Sequence, residues 1–215
     1  MAGTRLDGRV ERGNRTRQLV LRRTVDIASV EGLDALSVGR LATELQLSKS
    51  GVFALFGSKQ ELQLATVREA SRIYVEQVIR PADETPPGLA RLWRLCELWL
   101  DYSQGRVFPG GCFFYGVIAE YDARSGPVHD AVVRAQRDWT AHVERTIAEA
   151  RDDTRELRAD TDVPQLAFEI VALLETANVI SVLHDDASAY GRARIALVSR
   201  LRTAATDPSG LPQVA

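Results

Sequence analysis

Residues 15–59 read RTRQLVLRRTVDIASVEGLDALSVGRLATELQLSKSGVFALFGSK, and this stretch decides the fold. Within it Val38, Leu41 and Leu45 recur at helical spacing, and Leu47 follows where a turn would close. A second short segment with its own apolar residues comes directly afterwards. The spacing therefore predicts two short helices joined by a tight turn, with a longer helix before them.

Helix-boundary residues support this division. Gly32 follows the first helix at the position where a left-handed C-cap is expected. Ser37 and Ser48 each precede a short helix and can accept a backbone N–H as N-caps. Residues 58–61, Ser-Lys-Gln-Glu, have the spacing of a capping box, so a fourth helix should begin at Lys59.

The second short helix, residues 48–56, distributes its residue types unevenly. Ser48, Lys49 and Ser50 crowd its first turn, and apolar residues follow. A helix that reads DNA needs this order, because its first turn enters the major groove while later residues anchor it to the core. Free N–H groups in that turn also suit phosphate contacts. The alternative interpretation is a plain helical hairpin at the edge of a core.

In order and spacing, this segment resembles the DNA-binding domain of TetR/AcrR-type transcriptional regulators. The matching residues are Glu31-Gly32, Ser37 to Ala42, Leu47-Ser48, Val52 to Phe56, and Ser58 to Leu62. The sequence departs from the family pattern at Phe53, usually Tyr, at Leu55, usually His or Tyr, and at Gly57, commonly Pro. The resemblance implies an all-α regulator, not an enzyme. In such regulators a helix-turn-helix domain precedes a helical domain for effector binding and dimerisation.

The remaining periodicity predicts six further helices, which gives about nine in all. They cover residues 59–80, 89–104, 112–121, 127–150, 164–183 and 188–204. The first of these should end before Pro81, because proline lacks an amide donor. We predict a DNA-binding domain with an N-terminal arm at residues 1–59, an effector-binding and dimerisation domain at 60–205, and a disordered tail at 206–215.

Charge is unevenly divided along a chain whose formal net charge is −2. Residues 1–59 hold ten Lys and Arg against six Asp and Glu, whereas residues 60–215 hold 17 against 23. Attraction to phosphates favours the basic end as the DNA-binding end. The basic residues of the predicted arm are Arg5, Arg9, Arg12, Arg15 and Arg17. They either reach the DNA backbone beside the groove or form a disordered solubilising tail.

The composition argues against a secreted or membrane protein. Cys96 and Cys112 are too few for a disulfide framework, so we expect reduced thiols in a cytoplasmic protein. We expect no contact with membranes, since the strongest apolar run, around residues 168–183, is interrupted by two glutamates and an asparagine. The N-terminus is polar and Arg-rich, unlike a secretory signal.

The sequence also lacks the usual elements of an active site. His129, His142 and His184 do not have metal-ligand spacing. A Gly-rich phosphate-binding loop is not recognisable either. We therefore expect neither a metal nor a cofactor. Cys112, near the start of a predicted helix, leaves open a thiol-based redox sensor.

Seven residues are candidates for contacting DNA. They are Ser37, Ser48, Lys49, Ser50, Val52, Phe53 and Lys59. The polar members suit phosphates or base edges, whereas Val52 and Phe53 suit the methyl groups of thymine.

Aromatic residues and the two cysteines are candidates for binding an effector. They are Trp93, Cys96, Trp99, Cys112, Phe113, Val117, Tyr121 and Trp139. The resemblance implies a small apolar or amphipathic effector, which an apolar pocket with a few polar groups would hold. Glu120, His142, Glu175 and Asn178 could anchor its polar groups. The alternative is that these residues simply fill the core.

The predicted helix at residues 164–183 is apolar around most of its circumference. A single core-facing stripe does not need so many apolar residues, which indicates a second buried face. The resemblance implies that this helix and the next one pair with the same helices of a second subunit. Leu173, Ile180 and Leu197 are the candidate interface residues. The alternative is a helix central to its own domain.

These observations predict a ligand-responsive transcriptional regulator. Most simply it is a homodimeric repressor that a small effector releases from a near-palindromic double-stranded DNA operator. The sequence does not distinguish a repressor from an activator. Two other interpretations are a redox-sensing regulator that uses Cys112 and a helical protein-interaction module that does not bind DNA.

Overall fold

The computed structural model describes residues 3–213, with side chains described from Glu11 onward. This part of the chain is α-helical and contains no β-strand; an isolated bridge pairs Leu157 with Ala205. The predicted all-α fold is confirmed. The side chains of Arg5 and Arg9 and the final two residues lie outside the described part.

Ten α-helical segments follow one another along the described residues. They are α1 Gly3–Glu31, α2 Val38–Glu44, α3 Lys49–Phe56, α4 Lys59–Tyr74, α5 Arg80–Asp83, α6 Leu89–Gln104, α7 Phe113–Tyr121, α8 Pro127–Ala148, α9 Val163–Leu183 and α10 Ser188–Ala204. A π-helical turn, Val75–Ile79, joins α4 to α5. Nine continuous helices therefore result, as predicted. Short 3₁₀ helices form at Leu33–Ala35 and Pro208–Gly210.

The prediction that the fourth helix ends before Pro81 is wrong. Helical structure continues through the π-helical turn into α5, with Pro81 in the first turn of that segment. A π-helical turn locally replaces the ordinary pattern of backbone hydrogen bonds, and proline is tolerated where its missing N–H has no α-helical partner. The connection to α6 is consequently shorter than the predicted linker.

The chain forms two compact units. Unit 1 consists of Met1–Arg72 and Phe108–Val132, and unit 2 consists of Ile73–Val107 and Val133–Ala215. Unit 1 thus contains α1, α2, α3 and α7, whereas unit 2 contains α5, α6, α9 and α10. Helices α4 and α8 contribute residues to both. The functional boundary at residue 59 stays a prediction.

Apolar side chains from α2, α3, α4 and the 3₁₀ helix form the core of unit 1. Of the residues that the periodicity selected, Leu41 is buried, whereas Val38, Leu45 and Leu47 are half-buried. Leu33, Leu41, Val52 and Leu62 are all fully buried. Burial of side chains of this size supplies about 1.5–3 kcal/mol each, so this small core can hold three short helices together.

Arginines predicted to form an N-terminal arm belong to a helix. Arg12, Arg15 and Arg17 all lie on α1. Arg15 pairs with Glu11 at 2.5 Å, and the guanidinium of Arg17 lies 5.3 Å from the ring centre of Phe56.

Polar groups as well as apolar ones hold unit 2 together. The buried Ser103 hydroxyl donates to Asn178 Oδ1 at 2.9 Å and lies 2.9 Å from the hydroxyl of Tyr190. Arg106 donates to the carbonyl oxygens of Ser103, in the last turn of α6, and of Ser181, in the last turn of α9. A cation is favourable at both helix ends because unpaired carbonyls make them electronegative.

Contrary to the expectation from the sequence, helix α9 is long and apolar enough to cross a membrane by length and composition. In the structure, however, α9 packs against α6 and α10 within unit 2. Its residues Leu166, Ile170, Leu174 and Ala177 are buried in this packing. The core helix of a globular unit meets the same length and composition criteria. Packing within unit 2 therefore explains part of the apolar sequence of α9, while Phe168 and Leu183 stay exposed.

The expectation of a disordered tail is wrong for residues 206–213. Asp207 caps the 3₁₀ helix by accepting from the N–H of Ser209 at 2.9 Å. The side chain of Leu211 is buried, and Arg202 donates to the carbonyl oxygen of Pro208 at 3.2 Å. One apolar contact and several backbone hydrogen bonds are enough to order this segment.

Candidate nucleic-acid interface

Local hydrogen bonds define the helix-turn-helix segment, as predicted. Ser37 is extended and accepts from the N–H of Arg40 at 3.2 Å, so it is the N-cap of α2. Ser48 is the N-cap of α3 and accepts from the N–H of Gly51 at 3.0 Å. Between them Gln46 adopts a positive φ of 54°, which reverses the chain in few residues.

Helix α3 has one buried face and one exposed face. Val52 and Phe56 are buried against the core of unit 1, whereas Lys49, Ser50 and Phe53 are exposed, Phe53 by 54%. The exposed face can therefore enter a groove without unfolding the unit. The structure corrects the prediction for Val52, because a fully buried side chain cannot contact thymine methyl groups.

The two lysines of this region differ in their surroundings. Lys49 is the only cation on α3, and among the described residues it has no ion-pair or hydrogen-bond partner. The Lys59 ammonium donates to the carbonyl oxygen of Asp34 at 2.6 Å. Since an ammonium has three donors, Lys59 keeps two for other acceptors.

Arginine charges around α2 are largely balanced by carboxylates. Arg40 donates to both carboxylate oxygens of Glu31, at 2.6 and 2.7 Å, and to Glu44 at 2.8 Å. Glu44 also accepts from Arg23 at 2.6 Å. Hydrogen bonding to Arg40 lowers the pKa of Glu31, and bonding to Arg23 and Arg40 lowers that of Glu44. Because these arginines are paired with carboxylates, Lys49 of α3 is the cation best placed to bind phosphates.

Helix α7 contacts the connection between α1 and α2, a contact that could not be predicted from the sequence. The Glu120 carboxylate accepts from the N–H groups of Leu33 at 2.7 Å and Asp34 at 2.9 Å. Glu120, a predicted polar anchor for an effector, is therefore engaged within unit 1. The sequence held one indication of this contact, which is Gly32. A helix start without a capping side chain needs a hydrogen-bond acceptor from another part of the chain.

The residues predicted to bind an effector do not all lie in one unit. Cys112, Phe113, Val117 and Tyr121 belong to unit 1. All four are buried, and the Tyr121 hydroxyl donates to Asp34 Oδ1 at 3.3 Å. Burial raises the pKa of Tyr121 to about 12, so this hydroxyl is a proton donor at neutral pH.

The other four effector candidates belong to unit 2, and two of them are part of an aromatic cluster. The ring of Tyr74 lies 5.4 Å from Tyr102 and 5.4 Å from Trp139 in edge-on geometry. Trp99 lies 6.3 Å from Tyr102. The Arg194 guanidinium lies 5.9 Å from the ring centre of Trp93.

Cys96, the remaining candidate of unit 2, is fully buried on α6. Burial raises the pKa of its thiol to about 12. The thiol is consequently protonated at neutral pH and behaves as a small apolar side chain.

The polar residues of unit 2 that were predicted to anchor an effector differ in their surroundings. Asn178 is committed to the hydrogen bond with Ser103. The Nε2 atom of His142 lies 3.6 Å from Asp83 Oδ1, and burial lowers the pKa of this histidine. Glu175 has no hydrogen-bond or ion-pair partner among the described residues, and burial raises the pKa of its carboxyl group.

Apolar side chains at the surface of α9 and α10 are candidates for an interface. Leu173 and Ile180 are half-buried. The most exposed apolar residues on these helices are Phe168 at 69%, Leu183 at 71% and Ile195 at 51%. The prediction for Leu197 is corrected, because this side chain is fully buried within its own chain and cannot reach a partner.

Comparison with known proteins supports this description. Residues 88–197, just over half of the chain, match the family model described as "Tetracyclin repressor-like, C-terminal domain". No curated protein matches the sequence significantly.

Solved structures share the fold. A TetR transcriptional regulator from Chloroflexus aurantiacus J-10-FL has a TM-score of 0.83 at 20% identity, over 91% of this chain and 98% of that one. A TetR-family regulator from Cytophaga hutchinsonii has a TM-score of 0.75 at 23% identity, over 91% and 98%. A putative transcriptional regulator from Saccharomonospora viridis, in complex with choline, has a TM-score of 0.74 at 17% identity, over 93% and 99%.

The family match covers the C-terminal region, and the capped helix-turn-helix with its exposed α3 lies N-terminal to it. The chain therefore belongs to the TetR family of DNA-binding transcriptional regulators.

Proposed function

We propose that this protein is a homodimeric, ligand-responsive repressor that acts in the cytoplasm. The observation that carries the proposal is the exposed face of α3, on which Lys49 has no partner among the described residues and Phe53 faces solvent. An exposed aromatic ring and an unpaired cation on a capped helix are suited to a DNA groove and are hard to explain as packing.

In this proposal α3 enters the major groove with its N-terminal end first. Ser48, Lys49 and Ser50 bind phosphates or base edges there, and Phe53 contacts thymine methyl groups. Ser37 and Lys59 lie at the starts of α2 and α4 and bind flanking phosphates.

The proposed dimer uses the exposed apolar residues of α9 and α10. Phe168, Leu183 and Ile195 would otherwise remain in water, and pairing with a second copy removes that surface from solvent. A two-fold axis repeats α3, so the operator should be near-palindromic, with half-sites about 34–36 Å apart or somewhat more.

The proposed effector binds in unit 2, near Trp93, Cys96, Trp99 and Trp139. Aromatic rings and a protonated thiol favour an apolar or amphipathic small molecule. The choline complex of the Saccharomonospora viridis neighbour supports a small-molecule role for this fold. Binding would weaken operator affinity only to the extent that the effector prefers the conformation that does not bind DNA.

Selection from a random-sequence duplex library tests the DNA-binding part of the proposal. The purified protein should enrich one near-palindromic sequence, and Lys49→Ala should bind that duplex more weakly than the unmodified protein. Enrichment of a sequence without two-fold symmetry, or of none, would contradict the proposed dimeric reader.

Intrinsic fluorescence tests the proposed effector site. A compound that releases the protein from the selected duplex should change tryptophan emission, and either Trp93→Phe or Trp99→Phe should remove most of that change. The duplex should weaken binding of the compound by the same factor, since the coupling is reciprocal. Release from DNA with unaltered emission would place the site away from these tryptophans.

A further inference from the structure

The start of the 3₁₀ helix Leu33–Ala35 lacks a cap of its own. Its N-cap position is Gly32, which has no side chain to accept a hydrogen bond. Glu120 of α7 supplies the missing acceptors, with Oε2 at 2.7 Å from the N–H of Leu33 and Oε1 at 2.9 Å from the N–H of Asp34. A carboxylate at a helix N-terminus is favourable because the N–H groups there carry partial positive charge.

Glu120 approaches this connection closely at position 32. A β-carbon at position 32 would lie 2.6 Å from Glu120 Oε2. The φ angle of Gly32 is +84°, which disfavours other residues independently. A side chain at position 32 would therefore strain the backbone and also displace the end of the Glu120 side chain.

A second carboxylate, that of Asp34 on the connection itself, strengthens the same attachment. Asp34 Oδ2 accepts from Arg124 at 2.5 Å, and Asp34 Oδ1 accepts from Gln63 of α4 at 3.1 Å. Lys59 donates to the Asp34 carbonyl oxygen. The α1–α2 connection is consequently held by α7, by α4 and by the residues after α7, all within unit 1.

This connection leads directly into the helix-turn-helix. Only Leu36 and Ser37 separate the 3₁₀ helix from α2, and α2 precedes the DNA-facing α3. If the connection is fixed, the orientation of both helices relative to α1 and α4 is fixed before DNA arrives. A loose connection would have to be ordered at each binding event, which lowers affinity without removing any contact to DNA.

We propose that Glu120 is a positioning residue for DNA recognition, whose carboxylate caps the α1–α2 connection and orients α2 and α3. The proposal rests on the proposed DNA-binding role of α3. Glu120 itself touches no DNA; it acts through the N–H groups of Leu33 and Asp34.

Two variants and a matched control test this role. Glu120→Ala removes both acceptors, and Glu120→Gln keeps the side-chain volume with one acceptor oxygen. Glu144→Ala removes a half-buried glutamate from α8 that has no partner among the described residues. Affinities are measured by fluorescence anisotropy for the duplex that the unmodified protein selects and for poly(dI-dC).

Glu120→Ala should bind the selected duplex about tenfold more weakly, the factor expected for losing a charged cap. Glu120→Gln should lose less, Glu144→Ala should lose nothing, and affinity for poly(dI-dC) should be unchanged in all three. In folded protein, amide exchange at Leu33 and Asp34 should accelerate while protection at Val52 of α3 persists.

The outcomes separate this proposal from the one on which it rests. If the unmodified protein selects no sequence, the DNA-reading role of α3 fails first. If it selects a sequence that both Glu120 variants bind with unmodified affinity, the positioning role is overturned. It is equally overturned if binding to both DNAs falls in proportion to the unfolded fraction measured by circular dichroism.

Discussion

The Asp34 carboxylate and the Arg124 guanidinium lie 2.5 Å apart although 90 residues separate them in the chain. Asp34 precedes the helix-turn-helix, and Arg124 follows α7, where its guanidinium also lies 4.7 Å from the ring centre of Tyr121. The hydrogen bond from Arg124 lowers the pKa of Asp34 from its ordinary value of 3.8. The pair therefore links two distant segments of unit 1 through an interaction that depends on pH.

The direction of that dependence follows from the lowered pKa. A carboxyl group whose pKa is lower in the folded state stabilises the fold above pH 3.8, and this contribution is lost as the pH falls through the folded value. Asp34→Asn should lower the free energy of unfolding at neutral pH by about 0.5–1 kcal/mol, because both side chains are about half exposed.

Urea unfolding at neutral pH and well below pH 3.8 checks this expectation. The difference between Asp34→Asn and the unmodified protein should shrink in acid. Asp138→Asn, at an exposed position on α8, is the matched control and should show no such change. A difference that is the same at both pH values would contradict the assignment.

Two glycines should respond to alanine in opposite directions. A β-carbon at Gly110 would lie 1.8 Å from the backbone oxygen of Ser29, so Gly110→Ala should lower the free energy of unfolding by about 1–3 kcal/mol. Gly191 lies on the exposed side of α10 with no atom within 4 Å of the added carbon, so Gly191→Ala should raise it by about 0.5–1 kcal/mol. Thermal unfolding of both variants checks the pair, and equal effects would refute the steric explanation.

Removing the free cation of α3 should alter the salt dependence of DNA binding. Lys49→Ala should weaken binding and reduce the slope of log affinity against log salt by about 0.9 for each half-site. Arg137→Ala, at an exposed position on α8 in unit 2, is the control and should leave the slope unchanged. An unaltered slope for Lys49→Ala would mean that this side chain does not meet a phosphate.

A charge on the exposed apolar surface of α9 should separate the proposed subunits. Leu183→Glu should give a folded monomer, since the added carboxylate would be buried unpaired in a dimer but solvated in a monomer. Val30→Glu on α1, at a similarly exposed apolar position, should leave the dimer intact. Light scattering decides the outcome, and a dimer in the Leu183 variant would move the interface elsewhere.

The thiol of Cys96 should be inert in the folded protein. With a pKa raised to about 12, it should resist alkylation by iodoacetamide at neutral pH and react once urea unfolds the chain. Mass spectrometry of native and unfolded samples measures this. Rapid alkylation of native protein at Cys96 would show that burial does not protect this thiol.

The sequence by itself determined the features that depend on residues close together in the chain. Ser37 and Ser48 cap their helices because each hydroxyl reaches an N–H only three residues away. Gly32 ends α1 because only glycine readily adopts the required positive φ. Local chemistry of this kind, together with apolar periodicity, was sufficient for the helix-turn-helix and for the all-α fold.

Tertiary structure alone decided which side chains those helices bury and against what. Val52 and Phe53 are adjacent and both apolar, yet one is fully buried and the other faces solvent. From the sequence, Leu197 and Leu173 were equally good candidates for the interface. In the structure Leu197 is fully buried on α10, which packs against α9. Glu120 reaches Leu33 across 87 residues. Helical periodicity gives the side of a helix on which a residue lies, but the partner on that side depends on how distant segments pack.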